Sequence, residues 1–118
     1  MNFRKATEND VLTIVEMIAD DELGKTRENF QTPLITEYLN AFEKINADQN
    51  QEELIAVEDE NSEIIGTLQL SFIQYPTYQG GIRAQIEAVR IRKDKRGIGI
   101  EKKCLNGPLI ELKNEMRI

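Results

Sequence analysis

The chain has 118 residues, of which 40% are hydrophobic and 31% charged, a balance that suits one soluble globular domain with a modest core and favours neither disorder nor a membrane class. Its 21 acidic and 15 basic residues leave a formal net charge of -6, so the sequence-independent grip on nucleic acid that a basic surface supplies is not expected. Histidine is absent and Cys104 is the single cysteine, which removes Ser-His-Asp and Cys-His nucleophilic sites, the commonest zinc ligand and any intrachain disulfide. A metal site is therefore not expected, acid-base work falls to Asp, Glu, Tyr, Lys or Cys, and a reducing, cytoplasmic compartment fits the lone thiol. No apolar run approaches the ~18 residues of a membrane span, and no G-x-x-x-x-G-K-[ST] loop supports nucleotide phosphate chemistry.

In chain order, residues 3–6 predict a first strand, and Thr7 followed by Asp10 predicts a capped helix start of the capping-box kind. Val11, Ile14, Val15 and Ile18 share one helical face, and Gly24 is expected just past the helix end as a left-handed cap. Thr32-Pro33 predicts a second helix start, with Leu34, Ile35, Tyr38, Leu39, Phe42 and Ile45 as its buried stripe. After a polar stretch, 54–57 and 64–73 predict a hairpin joined through 58–62. In the second of these strands Leu68, Leu70 and Phe72 alternate with polar residues, the period of a strand with one buried face. Residues 74–81, with Pro76, Tyr75, Tyr78 and a Gly-Gly pair, predict a mobile connection whose aromatics reach toward a ligand.

The next strand changes phase. Ile82, Ala84, Ile86 and Ala88 are apolar at even positions, Val89 and Ile91 at odd ones, so an extra residue is needed at Ala88-Val89 if the apolar side chains are to stay inward, and a β-bulge is predicted there. The stretch that follows, Arg92-Lys93-Asp94-Lys95-Arg96-Gly97-Ile98-Gly99-Ile100-Glu101, reads as a basic glycine loop opening a helix, where free amides and a helix dipole suit an anion. Taken alone, Arg-Gly-x-Gly is more often an ordinary solvated turn. No internal repeat or linker divides the chain, so residues 1–118 read as one domain.

Arg96-Gly97-Ile98-Gly99-Ile100-Glu101, placed after a bulged strand, resembles the acetyl-CoA signature Gln/Arg-x-x-Gly-x-Gly/Ala of the GNAT superfamily of N-acetyltransferases. The resemblance runs over about 2–103, through Gly66-Thr67-Leu68-Gln69-Leu70 and Gln85-Ile86-Glu87-Ala88-Val89-Arg90. It implies an α/β (α+β) fold with a mixed, mainly antiparallel sheet flanked by helices, and acetyl transfer from acetyl-CoA, as co-substrate, to a small-molecule or peptidyl amine. By the same resemblance, Val89, Arg90 and Ile91 would offer backbone groups to the pantetheine arm and thioester, and Arg96, Gly97, Ile98, Gly99, Ile100 and Glu101 would wrap the pyrophosphate. Glu87, just before the bulge, is the candidate general base; read without the family it is equally a solvated strand residue or an arginine's partner. Tyr75 and Tyr78 are weaker candidates for substrate contact.

Two departures from the family bear on activity. Glu101 stands where the signature has a small residue, which sets a carboxylate beside the expected pyrophosphate. Family members continue with further strands and a general-acid tyrosine, whereas residues 104–118, with Asn106-Gly107-Pro108 breaking the helical pattern, depart from the family. An incomplete catalytic unit is therefore expected, arising from a frame shift near 101–105. The alternative to catalysis is a remnant that binds CoA weakly or assembles with itself, as a homodimer through the open edge of the fourth strand.

Overall fold

The computed structural model describes residues 1–20 and 22–96. The β-branched and aromatic residues of the predicted strands do pair: β1 (Asn2–Lys5), β2 (Gln51–Val57), β3 (Ile64–Gln74) and β4 (Ile82–Ile91) form an antiparallel sheet in the order β1-β2-β3-β4. Three helices, α1 (Val11–Ala19), α2 (Glu22–Arg27) and α3 (Thr36–Ala47), lie between β1 and β2 in the chain. This mixed α+β architecture is the fold the sequence implied.

The entry to α1 is built by its own side chains. The Thr7 backbone N–H and hydroxyl donate to Asp10 Oδ2 at 2.7 and 3.0 Å, and the Asp10 N–H donates back to the Thr7 carbonyl at 2.9 Å. Arg4 of β1 closes the arrangement with two bonds to the same carboxylate, at 2.9 and 3.1 Å. Asp10 is buried. Burial pushes its carboxyl up, but the bonds from Arg4 and Thr7 outweigh burial and hold it below the ordinary aspartate range. Residues 8–10 form a 3₁₀ turn that feeds α1, and Val11, Ile14, Val15 and Met17 are its buried positions, with Ile18 half-buried.

Three expectations are corrected between α1 and β2. Gly24 does not cap α1, which ends at Ala19 with the Asp20 N–H bonded to the Met17 carbonyl; Gly24 lies inside α2, buried, and its carbonyl accepts from the Glu28 N–H at 2.7 Å. The second predicted helix starts at Thr36 rather than at Thr32-Pro33, which is a cis peptide. Its apolar stripe occupies one face as read, but every member is half-buried, because α3 packs on β2 from outside rather than within a surrounded core.

β2 begins at Gln51, three residues before the first apolar position. Pairing with β3 accounts for the extension: Gln51 faces Ser71 and Glu53 faces Gln69, and Gln69 Nε2 donates to Gln51 Oε1 at 3.0 Å, a cross-strand polar pair that holds register as an apolar pair does. The two sheet faces bury different clusters. Leu54, Ala56, Leu68, Leu70 and Ile91 form the larger one, joined by Phe72, Ala84, Ile86 and Val89. On the opposite face Ile55 packs with Ala6, Ile14 of α1 and Phe42 of α3.

Candidate functional site

The phase change in β4 is resolved by a bulge. Glu87 pairs with Gln69 and Arg90 with Thr67, so the single residue Leu68 on β3 faces two on β4, Ala88 and Val89. The apolar set 84, 86, 89, 91 thereby shares one face with Leu68 and Leu70, and Ala88, expected inward with Ile86, is turned out and exposed. Ala88 adopts φ 53°, a left-handed conformation that costs an alanine roughly 1–2 kcal/mol, and strain of this kind concentrates at functional sites.

Beyond the bulge the strand presents its outer edge. Arg92 N–H donates inward to the Ile65 carbonyl at 2.8 Å, so the alternation of an extended chain directs the Ile91 N–H and C=O away from β3. The Ile91 carbonyl is taken by Arg96 Nε at 3.0 Å, whose Nη2 donates to the Asp20 carbonyl at 3.1 Å, fastening the end of β4 to the end of α1. Arg90 Nη1 donates to the Val89 carbonyl at 2.9 Å. Arg92 is held by Asp94 and Glu63, which together raise its guanidinium further above its ordinary range. Between α1 and the 3₁₀ turn Lys93–Lys95 lies a cavity of about 300 Å³, lined among others by Thr13, Glu16, Met17, Ile91, Arg92 and Arg96. Gly97, Ile98, Gly99, Ile100 and Glu101 lie outside the described residues.

Glu87 sits on the face opposite Ile86, exposed, with its carboxylate accepting from Gln85 Nε2. It shares a cross-strand row with Gln69 and Glu53, next to the row of Ile55, Thr67 and Arg90. The connection before β4 is a hydrogen-bonded turn: Gln74 Nε2 donates to the Tyr75, Gly80 and Gly81 carbonyls at 2.8–3.2 Å, and the Tyr75 N–H to the Gly81 carbonyl at 2.9 Å. Within Thr77–Gly80, Tyr78 and Gln79 are both left-handed, at φ 52° and 58°. Tyr78 is 93% exposed and Tyr75 half-buried; no bond draws either toward the bulge.

Neither Glu53 nor Thr67 was a candidate site residue in the sequence. Thr67 is 1% exposed, and its Oγ1 stands 2.8 Å from Glu53 Oε1 and 3.0 Å from the Leu54 carbonyl. Burial pushes the Glu53 carboxyl up to about 7, against the opposing effect of the Thr67 hydroxyl. The only sequence signal was a carboxylate directly before an apolar strand run. Among the described residues no three His, Cys, Asp or Glu side chains stand together to hold a metal ion, and no helix is long and apolar enough to cross a membrane.

No protein-family model and no curated protein matches the chain. Solved structures do. A transcriptional regulator from Bacillus halodurans C-125 is 41% identical at a TM-score of 0.87, over 96% of this chain and 74% of that one. A predicted acetyltransferase with acetyl-CoA from Clostridium acetobutylicum is 28% identical at a TM-score of 0.65, over 96% and 73%. A GNAT family acetyltransferase from Staphylococcus aureus, 18% identical, shares the fold at a TM-score of 0.70 over 96% and 78%. The chain therefore has the fold of the GNAT acetyltransferases.

Proposed function

We propose that this chain transfers an acetyl group from acetyl-CoA to a primary amine of a small molecule or peptide, by direct attack within a ternary complex. The observation that carries this reading is the β4 bulge, where a left-handed Ala88 turns the strand and Ile91 directs backbone groups outward. An extended pantetheine arm takes such groups as a further strand takes an edge. The similarity to the Clostridium acetobutylicum protein described with acetyl-CoA adds support. The cationic end of β4, with Arg92, Lys93 and Arg96, and the residues 97–101 that follow supply a phosphate cradle.

In the reaction the neutral amine nitrogen attacks the thioester carbon, the C–N bond forms as the C–S bond breaks, and the CoA thiolate leaves to take up a proton. Glu87, exposed on β4 beside the bulge, accepts the amine's proton directly or through water, a role worth ~100-fold in rate. The outward amide of Ile91 stabilises the oxygen on which negative charge develops, whereas Arg90, paired with Thr67, turns its own amide toward β3. The acidic balance of the chain, -6, favours cationic acceptors over anionic ones. The Bacillus halodurans protein is described as a transcriptional regulator; the net charge of this chain, -6, argues against a sequence-independent grip on DNA.

Thermal-shift titration with acetyl-CoA, followed by thiol release over a panel of amines, tests the reading. A saturable rise in melting temperature that is lost in Gly99→Ala, with thiol release that drops in Glu87→Gln, supports it. A shift without thiol release from any amine assigns instead a non-catalytic binder, which Glu101 in the glycine loop favours. A chain that shows no shift and doubles its mass in light scattering points to pairing through β4, an edge strand among the described residues.

A further inference from the structure

We propose that Glu53 is a positioning residue whose single proton closes a Glu53–Thr67–Leu54 hydrogen-bond chain and so couples the β2–β3 pairing behind the β4 bulge to the state of that carboxyl. Thr67 Oγ1 has one hydrogen and two acceptors within reach, Glu53 Oε1 at 2.8 Å and the Leu54 carbonyl at 3.0 Å, in a site where the threonine is 1% exposed. Both contacts are satisfied together only when Glu53 carries a proton and donates it to Thr67, leaving the hydroxyl hydrogen for Leu54. When Glu53 ionises, the hydroxyl turns to the carboxylate and the Leu54 carbonyl loses that donor.

The position gives the switch a target. Thr67 lies opposite Arg90, so the chain abuts one of the two residues that flank the bulged pair Ala88-Val89, and Gln69 alone separates Glu53 from the other, Glu87. The charged groups on the surrounding elements are Arg4, which Asp10 binds, Glu16 on α1, Glu28, which interacts with Arg90, and Glu87 and Arg90 on β4. Glu37, Glu43 and Lys44 of α3 are exposed. None of these charges is among the causes acting on Glu53, whose carboxyl is governed by burial and by the Thr67 hydroxyl alone.

The proposal is tested on the intact chain by following the Glu53 side-chain carbon and the amides of Thr67 and Arg90 by NMR as pH is raised. The expected result is a carboxyl midpoint near 7 shared by both amides and missing from the amides of Glu53→Gln. Thr67→Val, which removes the bond favouring the charged form, is expected to move the midpoint up, and Thr67→Ser to restore it. A midpoint in the ordinary glutamate range, or amides at 67 and 90 that do not follow Glu53, overturns it. The proposal rests on the acetyl-transfer reading only for what β4 holds. Failure of acetyl-CoA to bind at any pH would end that reading and leave the titration result standing.

Discussion

At the scale of single residues, the most telling position is Ala88. A left-handed φ of 53° in a strand is tolerated because the register on either side, Glu87 with Gln69 and Arg90 with Thr67, leaves the chain no other way to keep Val89 and Ile91 on the apolar face. Ala88→Gly removes the Cβ conflict, and urea unfolding is expected to show a gain of about 1 kcal/mol, whereas Ala88→Val, β-branched and strained there, is expected to lose at least as much. Asp10 is the complementary case, in which a carboxylate gathers three kinds of donor in a buried place. Asp10→Ala strips the turn before α1 and removes the carboxylate that Arg4 binds, so a loss of roughly 1–2 kcal/mol is expected, and Arg4→Ala combined with it should cost little more than either alone.

At the scale of elements, much of the fold could be read from the chain, and the failures have physical causes. The Thr7–Asp10 start, the α1 stripe and the β2–β3 hairpin are local patterns, and each formed around the residues that indicated it, with β2 extended to Gln51 by its pairing with β3. The bulge was legible because a period-2 pattern cannot change phase without an extra residue. Gly24 and Thr32-Pro33 misled because glycine and proline punctuate chains in several ways, and tertiary packing decided which way applied. The half-burial of α3 was invisible, since a stripe shows which side of a helix faces inward and not how completely it is covered. Glu53, half-buried, escaped notice because its contact with Thr67 arises only when β2 pairs with β3. In the connection 74–81 Gln74 binds three carbonyls of its own turn, while Tyr78 and Gln79 carry left-handed strain. Gln79→Gly relieves it at an exposed position, and a gain of about 0.5–1 kcal/mol in unfolding free energy is the expected outcome; no gain would mean that the turn's own bonds already offset the strain.

At the scale of the whole molecule, two carboxyls set opposite limits on stability. The folded state holds Asp10 below its ordinary value, so the unfolded chain binds more protons in acid and stability is lost as pH falls through that range. Glu53 acts in the other direction: its folded carboxyl is raised from 4.5 to about 7, the folded chain binds the extra proton between those values, and stability falls as pH rises across the window. Glu53→Gln keeps a donor for Thr67 without a charge to bury. Urea denaturation of the variant is expected to be flat over the same window and to show greater stability than the parent chain above pH about 7. Equal pH slopes for the two proteins would place Glu53 in contact with water in solution, and the buried proton would then have to be sought on another group.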